Sequence, residues 1–243
     1  MKITAFNGSH KKEDSNTSIL VDWFLAGAGD AGAQVEQIKL STCRIEQCMA
    51  CKSCWNKTPG KCVIKDDMAS LVEKFISSDI VVFASPVYAD NISGLMKTFL
   101  DRLIVVGDPH WELDDNNESR HCRRYEKPIG LVAISNCGYP EQSHFDTQRI
   151  FYRRLCRNMH MRLAGEIYRG AGALLAGIVP EFSEFLKTCQ KMVYASGQQV
   201  EKNGKISSDL QRKLEEPMIP LPDFNRRFLE KVNQMADQIV ARN

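Results

Sequence analysis

The chain reads as an α/β protein with one doubly wound, five-stranded parallel sheet in the order 2-1-3-4-5, helices on both faces and a helical C-terminal extension. Three observations point there. Short apolar runs at 3–6, 79–85 and 129–135 have the continuous character of strands buried on both faces. Stretches with apolar residues on one helical face alternate with them. Such alternation demands parallel pairing through right-handed crossovers.

In order, the first strand covers 3–6 and a loop leads to a helix near 18–27, for which Ser15 or Asn16 is the N-cap. The alternating segment 34–40 is the second strand. A cysteine-rich loop, 43–62, then leads to a helix opened by Asp66 and Asp67 and running to Ser77. Residues 79–85 form the third strand, stopped by Pro86, and a helix follows over 93–105. The charged segment 108–127 reads as an excursion over the surface. Strand 129–135, a loop from Asn136 to Pro140, helix 145–159, a strand near 163–168 and a helix from 181 to about 200 complete the series. The tail has two helical pieces broken by Pro217, Pro220 and Pro222, and it reads as lying outside the core.

The length of 243 residues suits one large domain, 1–202, with an extension, 203–243, and 43% hydrophobic content can fill its core. A formal net charge of +2 argues neither for a nucleic-acid surface nor for disorder. No basic-plus-apolar signal pattern follows Met1 and no apolar run approaches a membrane span, so the expectation is a soluble, cytoplasmic protein. Nine cysteines is a high and odd count, and five fall between Cys43 and Cys62. In a reducing compartment that density favours metal or redox use over disulfides.

In a sheet of this order, ligands sit at the carboxyl ends of the first and third strands, where the winding reverses. The loops there are 7–17 and 85–91. The first carries Gly8, read as a turn glycine, with Ser9, Ser15, Asn16 and Thr17 as small donors ahead of a helix. Free amides and the positive end of the helix dipole make that an anion cradle. An ordinary, well-capped strand–helix turn fits equally. Neither G-x-G-x-x-G nor a G-K-[ST] loop is present.

Cys48, Cys51, Cys54 and Cys62 form a C-x2-C-x2-C-x7-C array with Pro59-Gly60 in its last loop. Two tight steps let thiolates converge as the ferredoxin run does, so these four are candidate [4Fe–4S] ligands. Packed or free cysteines are the even alternative, with zinc well behind. The five histidines show no ligand spacing, and the arginines at 120–124 and 153–157 read as solvated faces.

Taken together, Gly8-Ser9 with Ser15-Asn16-Thr17, the run from Cys62 to Met68, Ser85-Pro86-Val87-Tyr88, Gly94 with the run from Lys97 to Arg102, and the tail 216–224 with Asn233 resemble one family. It is the NADPH-dependent FMN reductase branch of the flavodoxin-like superfamily, and within it the iron–sulfur flavoprotein-like group. The resemblance covers nearly the whole chain. It implies an FMN phosphate held by Ser9, Ser15, Asn16 and Thr17, with Lys11 adding charge. It implies a flavin edge along Ser85, Pro86, Val87 and Tyr88, with Asn91 closing that loop, and Asn136, Cys137, Gly138 and Tyr139 on the other side. No residue is a catalytic nucleophile, because FMN carries the chemistry. Asp101-Arg102 reads as a structural ion pair or cap.

The function so implied is NAD(P)H oxidation with electrons passed to a flavin, quinone or other small acceptor, by a homodimer or homotetramer. One alternative is an iron–sulfur flavoprotein carrying electrons to a ferredoxin-like partner. Another is a regulatory flavin- or nucleotide-binding module without turnover.

Overall fold

The computed structural model describes residues 1–13, 15–177, 182–217 and 223–241. Five parallel strands form the central sheet: β1 (Lys2–Asn7), β2 (Gln34–Lys39), β3 (Ile80–Pro86), β6 (Gly130–Asn136) and β7 (Arg162–Arg169). Their order is β2-β1-β3-β6-β7, so the winding reverses between β1 and β3 as expected. β3 and β6 are buried along their whole length, which is why they read as unbroken apolar runs. β2 is a partly exposed edge, and its burial does not follow the alternation read in its sequence: Val35 is exposed.

Helices α1 (Asn16–Asp30) and α6 (Ser183–Asn203) cover one face; α3 (Met68–Ser77), α4 (Gly94–Arg102) and α5 (Asp146–Asn158) cover the other. α1 and α6 touch through glycines. A Cβ on Gly27 would stand 1.9 Å from the Tyr194 carbonyl oxygen, and one on Gly197 would stand 2.0 Å from that of Phe24. The expected start of α6 at Glu181 lies outside the described residues.

Several expectations need correction. Pro86 is the last residue of β3 and Asn136 the last of β6, and the two pair in register. α4 ends at Arg102 and tightens into a 3₁₀ turn, Leu103–Val106. The cysteine segment holds one short helix, α2 (Ser53–Asn56). The tail is partly core: in α7 (Ser208–Glu215), Leu210 and Leu214 are buried, while Ile206 just before it fills the space beside Gly165. Gln211 also pairs with the backbone of Glu166 on the edge strand β7. A last helix, α8 (Asp223–Val240), follows; Pro220 and Pro222, expected to break the tail, lie outside the described residues.

The segment 108–127 is ordered into an antiparallel pair, β4 (Gly107–Leu113) and β5 (Ser119–Arg123). It docks on the end of α5, where Arg157 Nε donates to Asp114 Oδ2 at 2.5 Å and Arg120 donates to the Arg157 carbonyl. Arg154 and Arg157 also pair with Glu118. Of the arginines read as solvated faces, Arg120, Arg154 and Arg157 therefore clamp the hairpin, while Arg153 pairs with Glu166 of β7. That end of α5 lies at the amino edge of the sheet, next to the start of β7, away from the switch point. The hairpin is no roof to the site.

The Glu118 amide and the Arg157 guanidinium hold the Asp114 carboxyl down at about 2. Its contribution to stability is therefore present above the ordinary carboxylate range near 3.9 and is lost as pH falls through about 2. In an NMR titration the Asp114 carboxyl should still be ionised at pH 3. Half-protonation there would break this account of the clamp.

Candidate functional site

The carboxyl ends of β1, β3, β6 and β7 are knitted into one rim. Gly8 donates from its amide to Ala84 O (2.7 Å), and Ser93 Oγ donates back to Gly8 O (2.6 Å). Val87 donates to Asn136 O, Ser135 Oγ donates to Ser85 O, and Gly172 donates to Cys137 O. Gly8 does not have a positive φ. It is glycine because α4 starts so close that a Cβ would meet Met96 Cβ at 2.7 Å. The expected turn role gives way to close approach.

At the start of α1, Ser15 is the cap: its hydroxyl accepts from the Ser18 amide at 3.0 Å. Asn7 Nδ2 donates to Ser18 Oγ, and Asn136 Nδ2 donates to Thr17 Oγ1 at 2.7 Å, across the switch point. The amides of Asn16 and Thr17, in the first helical turn, have no intrahelical acceptor. No acidic residue occupies that turn, so the positive end is not neutralised from within. Lys39 Nζ reaches over from β2 to the carbonyl of Lys12 and tethers the loop. Lys11 is exposed, and its amide donates to Ser9 Oγ.

Beyond β3 the chain makes a two-residue reversal. Tyr88 and Asn91 exchange backbone hydrogen bonds, while Ala89 (φ 47°) and Asp90 (φ 58°) occupy the left-handed region. Two successive positive φ values suit a type I′ turn, and neither residue is glycine, so this turn stores strain. Tyr88 is 47% exposed and stacks on His10 of the first loop with ring centroids 5.7 Å apart. It is therefore not a core aromatic. On the other side Tyr139 is 61% exposed and stacks on His144, and Gly138 has open space around it.

The candidate residues divide into two sets. Ser9, Ser15, Thr17, Ser85, Pro86, Asn136 and Cys137 are buried and build the frame. The Ser85 hydroxyl accepts from the Ser93 amide and donates to Pro86 O, so it serves the fold. Burial pushes the Cys137 thiol up to about 11, and the thiol donates to Tyr139 O. It is unreactive near neutrality. Asn16, Val87 and Asn91 are half-buried, and Lys11, Tyr88, Gly138 and Tyr139 are exposed. Sequence reasoning passed over Asn7, His10, Lys39 and Ser93. Asn7 and Lys39 had a legible signal, because each ends one of the paired strands β1 and β2, and so had Ser93, a small hydroxyl at the start of the helix read over 93–105.

Cys48, Cys51, Cys54 and Cys62 all line one cavity of about 80 Å³, together with Arg102, Ile104 and Val105. Ala50 and Lys52 hold positive φ values of 51° and 54° between the first three cysteines, which bends the chain around it. Among the described residues no group of three or more His, Cys, Asp or Glu side chains is placed to hold a single metal ion. A [4Fe–4S] unit makes another demand, since the four thiolates hold a multi-iron cluster between them. Arg102 does form the expected ion pair, with Asp66, and its Nη2 also donates to Cys62 Sγ at 3.4 Å.

The deciding observation is that residues 1–155 match the family of NADPH-dependent FMN reductases. The chain belongs to that family. Among curated proteins it is similar to an iron–sulfur flavoprotein of Archaeoglobus fulgidus, 38% identical over 107 residues, covering 44% of this chain and 47% of the relative. An iron–sulfur flavoprotein of Clostridioides difficile is 31% identical over 144 residues, 56% of this chain and 59% of the relative. The chain thus spans about half the length of the curated relatives it matches.

Solved structures share the fold at low identity. An FMN-dependent NADH-azoreductase from Bacillus anthracis, in complex with FMN, aligns with a TM-score of 0.59 at 15% identity, over 82% of this chain and 99% of that one. An NAD(P)H:quinone oxidoreductase from Methanothermobacter marburgensis gives 0.59 at 13% identity, over 85% and 98%. Among the described residues no helix is long and apolar enough to cross a membrane.

Proposed function

We propose that this chain is an FMN-dependent oxidoreductase that takes electrons from NAD(P)H and passes them to a flavin, quinone or other small acceptor. The observation that carries it is the unneutralised start of α1, where the Asn16 and Thr17 amides have no intrahelical acceptor, lying at the switch point beside the exposed Tyr88 turn. The residues fit FMN. The loop 9–13, Asn16 and Thr17 would hold its phosphate. Val87, Tyr88 and Asn91 would flank one edge of the ring, and Gly138 and Tyr139 the other. FMN, when bound, supplies the electron chemistry, and the protein binds, orients and excludes water. Association as a homodimer or homotetramer belongs to this proposal, as does a cytoplasmic location; Leu229 and Val240 of α8 are exposed apolar residues that association would cover.

A second function is favoured by one specific observation, the four cysteines on a single cavity. Cys48, Cys51, Cys54 and Cys62 would hold a [4Fe–4S] cluster, which supplies one-electron exchange and suits a ferredoxin-like partner. The curated relatives carry the matching name.

The first measurement is flavin, iron, zinc and acid-labile sulfide per chain on protein purified without oxygen, followed by NAD(P)H oxidation with a quinone. Flavin with turnover is the expected result. Failure to bind added FMN would sink the proposal, and binding without turnover under any acceptor would leave a regulatory module. A sharper test is Asn16→Asp. A carboxylate in the first turn should stabilise α1 by about 0.5 kcal/mol. In an anion site it should also weaken FMN binding by about tenfold or more. A stabilised variant with unchanged FMN affinity would mean an ordinary cap.

A further inference from the structure

We propose that Arg102 is a positioning residue for the cysteine cavity: it fixes Cys62 in place and raises the reduction potential of an iron–sulfur cluster held there. This rests on the cluster assignment to Cys48, Cys51, Cys54 and Cys62 made above. Arg102 sits at the end of α4, 40 positions from Cys62 and outside the cysteine loop, yet it lines the same cavity as the four thiols. It is 2% exposed.

The direction of its guanidinium is over-determined. Nη1 donates to Asp66 Oδ2 (2.6 Å) and Nη2 to Asp66 Oδ1 (3.0 Å), the two-pronged arrangement that fixes a guanidinium plane. Nη1 also donates to the Glu46 carbonyl at 2.7 Å. Asp66 cannot swing, because its Oδ2 accepts from the Glu46 amide and its Oδ1 from the Met68 amide. With both partners locked, Nη2 still reaches Cys62 Sγ at 3.4 Å.

A staple between loop and helix needs only Asp66 and the Glu46 carbonyl. Two features exceed that need. One is the contact with Cys62. The other is Arg102 Nε, a buried donor with no acceptor among the described residues. Buried donors are rarely left unpaired, and a bound anionic group at the cavity would relieve the cost. A [4Fe–4S] cluster with four thiolate ligands carries a net negative charge, which a cation close by stabilises in a half-buried place. The Arg102–Asp66 pair is neutral as a whole, but its positive member touches the sulfur and its carboxylate lies behind. Hydrogen bonds to cluster sulfurs and nearby positive charge favour the reduced form, and so raise the potential.

The test uses the full chain purified without oxygen, as wild type, as Arg102→Lys, and as the double variant Arg102→Met with Asp66→Asn. The double variant removes both charges together, so no buried ion is stranded. Each protein is assayed for iron and sulfide, and a redox titration is followed by electron paramagnetic resonance. The expected result is a double variant that retains iron and sulfide but titrates at a more negative potential than wild type, with the lysine variant in between. Loaded variants with an unshifted potential would overturn the proposal alone and leave Arg102 a staple. A wild-type chain that takes up no iron would overturn it together with the cluster, and leave the FMN site standing. Should the double variant fail to fold, the lysine variant, which keeps the charge, decides on the same scale.

Discussion

Asp66→Ala will destabilise the chain by about 3–5 kcal/mol, because it leaves the Arg102 guanidinium buried without its carboxylate. Both side chains are essentially inaccessible and meet through two hydrogen bonds. Urea unfolding at neutral pH measures the loss. The same pair sets an acid limit. Burial pushes the Asp66 carboxyl up, yet hydrogen bonds from Arg102 and from the Glu46 and Met68 amides outweigh it and hold the group below its ordinary value. A depressed carboxylate contributes stability that is fully present above the unfolded value near 3.9 and is lost as pH falls through the folded one. Wild type should therefore lose stability steeply below about pH 4, and the Asp66→Ala variant less steeply. Parallel pH profiles for the two proteins would show that Asp66 is no part of the acid transition.

Gly197→Ala will cost about 3 kcal/mol, the upper end of overpacking penalties. The added methyl would stand 2.0 Å from the Phe24 carbonyl oxygen and 2.7 Å from the Ala28 amide nitrogen. Those are backbone atoms of α1, and a helix backbone does not turn aside as a side-chain tip does. Helix propensity alone predicts the opposite sign, since alanine is favoured over glycine in a helix interior by about 1 kcal/mol. The sign of the measured change thus decides between local preference and helix contact. Thermal unfolding reads it directly. Because α1 carries Asn16 and Thr17 at its other end, displacement of that helix should also weaken FMN binding.

The parts of this molecule legible in its sequence are those set by neighbours in the chain. β3 and β6 declared themselves because strands buried on both faces leave unbroken apolar runs. The cap narrowed to Ser15 or Asn16 because a cap hydroxyl and its amide are three residues apart, and the fold chose Ser15. The pair β4 and β5 did not, because it is held by charges: its partner Arg157 lies 43 positions from Asp114, and such a segment has no apolar stripe to count. Ser85 and Tyr88 show a subtler limit. Both belong to the loop marked as a flavin edge, but Ser85 is used inside the frame while Tyr88 faces outward on a strained turn.

The alternation of buried strands and one-faced helices, read from the sequence by itself, was enough to determine the sheet, its order and the crevice where its winding reverses. The four-cysteine spacing likewise singled out side chains that line one cavity. What only the tertiary structure decided is how distant residues meet there: Asn136 on Thr17, Lys39 on the first loop, Gly197 against Phe24, and Arg102 on Cys62. The physical reason is one of range. Periodicity and capping record interactions within a few residues, while a buried arginine or a close-packed glycine is explained only by an atom that folding brings from far along the chain.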